Sequence, residues 1–328
     1  MKAIKILTMA AMATAVFASC SNEDGLPQSN YPADNVVRIM TSVDGMNTRA
    51  SYGNSADKLK SFGFCIKNAN SEKYTYDNIK VSQKGYNWIP ATQMLWQNST
   101  TAVDILAYAP YQETTEDANG KVKVFGKTDY AFSVKEDQSN AEDYSSDLIV
   151  FKQTRFTPVS ELNTSKAVEV AFTHLLSQLN LIIELRDQFN TNNNTVTKGF
   201  VTDVKVNGTI ISSKVDFSAS PISVQVDGTQ TAAITPETTG FTPAENATAH
   251  AVFNYSAIVI PQTVAAGNFS ISFKVNNTEY IWTATDAVTF ESGKKHELHL
   301  LAGKDVVQGG AISAKPWGKE TITEKETD

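Results

Sequence analysis

The stretch Phe269-Ser270-Ile271-Ser272-Phe273-Lys274-Val275-Asn276-Asn277-Thr278-Glu279-Tyr280-Ile281-Trp282-Thr283 reads as two short strands around a tight turn. Its arms, Phe269 to Val275 and Glu279 to Thr283, carry aromatic and β-branched residues that suit a pleated, half-buried surface. Asn276-Asn277 tolerates the left-handed backbone that a two-residue hairpin requires. The same grammar recurs on both sides. Phe200 to Val206 runs into Asn207-Gly208 and resumes as Thr209 to Ser212, a second hairpin signal, while Ala257 to Ile260 stops at Pro261. His296 to Leu301 precedes Gly303, and Val168 to Phe172 is a further strand. From His174 to Leu185, Leu179, Leu181 and Ile183 alternate against Asn180 and Ile182. That favours a strand, with a helix over Leu175 to Leu185 as the alternative.

The first half is built alike. Val37, Ile39 and Val43 share one face of Asn35 to Asp44, with Arg38 and Ser42 on the other, which predicts a half-buried strand. Asp44 to Asn54 is a polar, Gly-containing loop of the kind that proteases nick. Strands follow at Lys60 to Lys67, Tyr74 to Ile79, between Trp88 and Trp96, and at Ala102 to Ala109, Val122 to Phe125 and Leu148 to Phe151. Pro110 ends the strongest of these, because proline cannot donate to a ladder. Glu113 to Gly120 and Glu136 to Asp147 are charged loops. Breaks at roughly ten-residue intervals, twice over, predict an all-β chain of two tandem antiparallel sandwiches. Their limits are 35–165 and 166–328, divided where composition turns polar near Ser160 to Lys166.

The chain has 328 residues, a formal charge of -7 and a pI near 5.2. Lys and Arg are nowhere clustered, so nothing points to a nucleic-acid partner. Met1 to Asp24 has a basic start at Lys2 and Lys5, then an apolar run from Ile6 to Phe17 broken only by Thr8 and Thr14. The run is too short to span a bilayer, which takes roughly 20 apolar residues. Residues 1–19 are therefore a secretory signal. Ala18-Ser19-Cys20 resembles the lipobox of bacterial lipoproteins, which implies cleavage ahead of Cys20 and acylation of its nucleophilic sulfur. Several acyl chains on one residue anchor stably to the outer membrane where a single chain does not. An ordinary signal peptide with an incidental cysteine is the alternative. Ser21-Asn22-Glu23-Asp24 resembles the signal that sends such proteins to the outer surface. Residues 20–34, polar with Pro27 and Pro32, read as a tether. Cys65 is then the one remaining cysteine, so no internal disulfide forms, and its apolar surroundings from Ser61 to Ile66 make it a buried structural thiol.

Several segments, in order, resemble the fimbrillin family, the subunits and accessory proteins of type V pili of Gram-negative gut and mouth bacteria. In the first half these are Asn47-Thr48-Arg49-Ala50, Ile105-Leu106-Ala107-Tyr108-Ala109-Pro110-Tyr111 and Ser146-Asp147-Leu148-Ile149. The second half adds Ala171-Phe172-Thr173-His174-Leu175-Leu176-Ser177-Gln178-Leu179, Val259-Ile260-Pro261-Gln262-Thr263, Val288 to Leu298 and the late Trp317. The resemblance implies two transthyretin-like, Greek-key sandwiches, export as a lipoprotein, a fimbrial location and partnership with other fimbrial subunits. It also implies proteolysis between Arg49 and Ala50 and assembly by strand exchange, serving adhesion to a host or bacterial surface ligand. Loss of a strand such as Val36 to Val43 would leave unpaired backbone groups and an open core that a neighbour's strand can refill. With about four inward side chains at ~1.5–3 kcal/mol each, the gross gain is on the order of 10 kcal/mol. The tail departs from a stalk subunit: Gly318 to Asp328 offers only Ile322 among charges, and Pro316 interrupts the pairing of Ile312 and Trp317. Tip, accessory and uncleaved anchor positions stay open.

No catalytic set, cofactor motif or metal motif emerges, and the chain reads as no enzyme. His296 and His299 are three apart and point to opposite faces of a strand. His174 lies among apolar residues as a packed, hydrogen-bonded side chain. Gly293-Lys294 has Val288 where a phosphate-binding loop needs glycine, and no Gly-x-Ser-x-Gly elbow occurs. Asp137, Glu142, Asp143 and Asp147 lack EF-hand spacing and read as a solvated loop rather than a calcium site. The spatial separation that would pair carboxylates for glycoside hydrolysis is not legible in sequence. Trp88, Trp96, Tyr108 and Tyr111 could stack on sugar rings, which makes a surface glycan-binding lipoprotein the competing function.

Overall fold

The computed structural model describes residues 30–43, 58–113, 124–190 and 196–317. Strands dominate it: β1 Ile39–Val43, β2 Ser61–Lys67, β3 Tyr76–Lys84, β4 Asn87–Pro90, β5 Val103–Ala109, β6 Tyr130–Ser133, β7 Ile149–Phe156 and β8 Val168–His174. Next come β9 Ser177–Leu185, β10 Val201–Ile210, β11 Ser212–Asp216, β12 Ser223–Val226, β13 Thr231–Ile234, β14 Glu237–Thr242 and β15 Ala251–Val259. The last are β16 Gln262–Val264, β17 Ser270–Val275, β18 Thr278–Thr283, β19 Val288–Phe290, β20 Lys294–Ala302, β21 Val307–Gly309 and β22 Ser313–Pro316.

The first sheet runs β1-β8-β7-β5-β2-β3-β4. Along its central strands Phe62, Phe64 and Ile66 of β2 and Ile105 and Ala107 of β5 face one core, where Val168, Val170 and Phe172 of β8 meet them. Cys65, Leu106 and Tyr108 face the other way into a second core. The Phe62 ring lies 5.1 Å from Trp88 on β4 and 5.3 Å from Phe172 on β8. Residues from opposite ends of the sheet therefore meet over one ring, so the sheet coils until its two flanks act as facing layers. Gly63 makes this packing possible, since a Cβ there would stand 2.3 Å from the Tyr108 ring.

In the second half, β14-β15-β9-β20-β21, with β22 also on β20, packs against β13-β10-β17-β18. Leu181, Ile183, Phe253 and Leu298 from one layer share a core with Val206, Ile271 and Phe273 from the other. A third sheet, β12-β11-β6, draws one strand from the first half and two from the second. Tyr108, Tyr130 and Phe217 join the halves there, with ring centroids 5.0–5.6 Å apart.

Several expectations change in detail. Val168 to Phe172, placed by the sequence at the head of the second half, is β8, and it lies between β1 and β7 in the first sheet, with Ile39 opposite Val168 and Ile149 opposite His174. Sheet membership thus changes at Leu175-Leu176, not at 165/166, and β6 crosses in the opposite sense. Strand pairing is chosen by distant partners, and a local drop in apolar content does not report it. The segment from Ser177 to Leu185 is strand, alternating buried and half-buried, and the helix alternative is set aside. Asn207-Gly208 is no turn. It is a bulge inside β10, where Gly208 has φ +90 and a Cβ would lie 2.0 Å from the Asn268 carbonyl oxygen. A bulge and a type I′ turn both demand positive φ, so the dipeptide alone does not separate them. Asn276 and Asn277, by contrast, have φ 47 and 68 and close the predicted hairpin between Val275 and Thr278. Val124 and Phe125, the described end of the expected strand from Val122, are not in a strand. Val122, the whole Asp44 to Asn54 loop and all of the Glu113 to Gly120 loop but Glu113 lie outside the described residues.

Candidate functional site: the leading edge strand

β1 sits at the end of the first sheet, paired on one side only. Its seat begins five residues earlier, at Asp34. Arg38 donates to both carboxylate oxygens of Asp34, at 3.0 and 2.7 Å, and the Val36 amide donates to Asp34 Oδ1 at 3.1 Å. The Arg38 bond, followed by that from Val36, holds the Asp34 carboxyl down at about 2. The main chain is then gripped from two directions. The Val37 amide donates to the Met94 carbonyl at 3.0 Å and Trp96 donates to Asn35 at 2.8 Å, an antiparallel start. From Ile39 the strand switches neighbour and runs parallel to β8, Ile39 opposite Val168 through Val43 opposite Phe172.

The alternation read from sequence determines what β1 buries. Val37, Ile39 and Val43 are at most 7% exposed, while Met40 and Ser42 face outward. Thr41 holds the fourth inward position, and its hydroxyl is buried with no hydrogen-bond partner. The free edge of β1 faces the free edge of β4 across a groove of about 620 Å³ lined by Met40, Tyr86, Trp88, Ile89, Gln93 and Met94. Tyr86 is fully exposed there, and Met40 and Ile89 are more than 40% exposed. Withdrawal of β1 would bare the β8 ladder, the Met94–Trp96 backbone and the hollows of three aliphatic side chains. Such an edge accepts an added strand. Cys20, Arg49 and Ala50 lie outside the described residues, and Arg49 follows the last residue of β1 by six positions.

Other sequence candidates disperse. Trp96 is buried and stacks on Phe156 at 5.7 Å, and Tyr108 is buried and donates to Asn78 Oδ1 at 2.7 Å. Trp88 packs edge-on against Phe62, and Tyr111 lies under Lys80. These four rings form no common platform. The carboxylates of the acidic loop have separate protein partners. Asp137 takes Ser139, Glu142 takes Tyr144, Asp143 takes Lys135, and buried Asp147 pairs with His174 Nδ1 at 2.9 Å. His296 is buried and accepts the Glu291 amide at 3.0 Å, whereas His299 is on the outer face. Cys65 is buried, and burial together with nearby Asp77 pushes its thiol well above the ordinary range.

The model of the fimbrillin-like family matches residues 48–317, most of the chain. The chain belongs to the fimbrillin-like family. Solved structures share its fold. A candidate cell adhesion protein from Bacteroides ovatus superposes with a TM-score of 0.59 at 14% identity, over 88% of this chain and 100% of its own. One from Bacteroides uniformis gives 0.56 at 18% identity, over 87% and 99%. A fimbrial protein from Bacteroides vulgatus gives 0.52 at 18% identity, over 85% and 99%. No curated protein matches the chain in sequence. Membership makes this a fimbria-associated chain of the cell surface.

Two structural features of this fimbrillin-like chain escape sequence reading. Thr41 looks like an ordinary β-branched strand residue, and its orphaned hydroxyl depends on what surrounds it. Trp317 stacks on the buried His174 ring at 3.8 Å and 3°, a contact across 143 positions that no local pattern announces.

Proposed function

We propose that this fimbrillin-like chain is a fimbrial subunit, or a tip or accessory protein, exported as a lipoprotein acylated on Cys20 and serving surface adhesion. It is cut between Arg49 and Ala50, and it joins its neighbour when an extended segment of another subunit refills the seat of β1. The observation that carries this reading is the position of β1 as an outermost strand that plugs a core and lies six residues ahead of the candidate cut. The family match supports it, because it begins at residue 48 and leaves β1 outside the shared region.

Three inward aliphatic side chains at ~1.5–3 kcal/mol each give a gross seat energy of roughly 5–9 kcal/mol. That is less than four positions would give, because Thr41 occupies one of them without a partner for its hydroxyl. A donor with an aliphatic residue there would displace β1 favourably. The tail argues for a tip or accessory position over a stalk: β22 pairs with β20 and Trp317 is buried on His174, so the chain uses this segment in its own body.

The test is arginine-specific proteolysis of the purified, acylated precursor, followed by N-terminal sequencing and by addition of partner subunits. A new terminus at Ala50, with residues 20–49 released as a partner binds, is the expected result. A folded chain resistant at Arg49, or assembled fimbriae that still carry acylated Cys20, would overturn it and make the protein an anchor.

A further inference from the structure

β1 carries a mismatch on its outward face as well as the inward one at Thr41. Met40 stands directly opposite Glu169 of β8 in the parallel ladder, itself 48% exposed and set beside an exposed carboxylate. A methionine offers that carboxylate no donor and no charge, and its sulfur accepts from Asn163 Nδ2 at 3.4 Å instead. Arg38, the one cation between Asp34 and Val43, is turned away. Its guanidinium is spent on both oxygens of Asp34 and on the Val36 carbonyl. Lys166, three residues before Glu169, makes no ion pair with it. Among the described residues no ion pair or hydrogen bond reaches the Glu169 carboxylate. Loss of residues 20–49 would take Asp34, Arg38 and Met40 away together. Glu169 would then be the one charge on the bared outward face of β8, with Ala171 and Thr173 as its uncharged neighbours.

We propose that Glu169 is a specificity-determining residue of the exchange seat, and that it selects a partner segment with lysine or arginine at the place Met40 now holds. The inference rests on the exchange reading above and adds to it the chemistry of the partner. That segment is an extended strand with aliphatic side chains at the places of Val37, Ile39, Thr41 and Val43 and a cation at the centre of the outward row. A period of two puts the aliphatic row and the cation on opposite faces, so the two demands do not compete. Opposite charges directly across a ladder stabilise the pair, and like charges oppose it. A segment with an acid at that place is therefore rejected, which is how an interface discriminates between partners of equal apolar pattern. β1 meets the demand at neither of two adjacent residues, Met40 outward and Thr41 inward. A matched segment outcompetes it on both faces without any added length.

The test uses the full-length chain cut at Arg49 and short fluorescent peptides of alternating valine and threonine, with lysine, methionine or glutamate at the central outward place. Binding is read by anisotropy at low salt. The lysine peptide should bind most tightly and the glutamate peptide least, about three- to tenfold apart. The gap should close at ~1 M salt, where the Debye length is ~3 Å. It should vanish in E169Q and invert in E169K, variants at an exposed strand position whose unchanged melting temperature reports an intact seat. Equal affinity of the three peptides, or a lysine preference that survives E169Q, would overturn the selection and leave the exchange itself standing. Entry of no peptide, or a folded chain that cannot be cut at Arg49, would overturn both, because a seat that admits no strand selects none.

Discussion

The chain lays a short strand on a sheet edge at each end of its described body, and the two are held in opposite ways. β1 pairs with β8 over five residues and sends Ile39 and Val43 into a core beside Val37, which just precedes it. β22 pairs with β20 over four residues, every one of them exposed, with Pro316 unable to donate and Lys315 set directly opposite Lys295. Like charges facing across a ladder oppose pairing. Lys295 is itself buried, and that burial lowers its pKa. What fixes the tail lies outside the strand: Trp317, buried and stacked on His174 with its amide donating to the Gly293 carbonyl at 2.9 Å, and Ile312, packed against the core. The first edge is therefore a plug whose loss opens a core, and the second is a strap pinned at its ends. A strand-exchange mechanism needs the former, because only a vacated core rewards a newcomer with buried area.

The sharpest way to break this comparison is Ile39→Asp. A carboxylate in that buried seat loses its water, and the cost should reach about 4 kcal/mol. Chemical denaturation measures it, and a change below about 1 kcal/mol would mean that β1 already swings free. Trp317→Ala comes next, at about 3 kcal/mol, since it empties the socket beside His174. Ser313→Ala, on the exposed ladder of β22, should stay within about 0.5 kcal/mol. If the two tail variants cost the same, the strap is held along its length and the contrast with β1 fails.

How much of this was legible in the sequence follows from which interactions are local. The spacing of Val37, Ile39 and Val43 announces both a strand and its buried face, because a period of two is a property of the strand itself. Asn276-Asn277 announces a hairpin for the same reason. Partner choice is not local. Nothing in Val168 to His174 says that it returns to the first sheet to carry β1, and nothing in Tyr130 to Ser133 says that it joins β11 in the second half. Asn207-Gly208 shows a subtler gap, in which the required backbone angle is readable and its use is not. Of the candidate site, the strand and the Arg49-Ala50 bond behind it can be seen in sequence. The two-sided grip by Met94–Trp96 and β8 cannot, and neither can the defect at Thr41.

That defect gives a prediction of opposite sign. Thr41→Val keeps the shape and removes a buried hydroxyl that lacks a partner, so β1 should be held more tightly by about 1 kcal/mol. Denaturation reads the gain, and the proposed exchange should slow in the same variant. A loss of stability would show that the hydroxyl finds a bond, and the seat would then be optimised for β1 rather than for a successor.

The smallest effect concerns the turn that aims β1. Asp34 is exposed, so its ion pair with Arg38 matters for local order more than for global stability. Its carboxyl titrates at about 2 in the folded chain, against ~3.9 for an unperturbed aspartate. With the folded value depressed, whatever the pair contributes is present above ~3.9 and is lost as pH falls toward the folded value. The Val36 amide, which donates to Asp34 Oδ1, is the probe. Its hydrogen exchange, corrected for the intrinsic rate, should accelerate between pH 5 and pH 2, and Asp34→Asn should remove that pH dependence while leaving the β20 amides under β22 unchanged. Acceleration of both edges together would mean that acid loosens the whole body, and β1 would lose its standing as the separable strand.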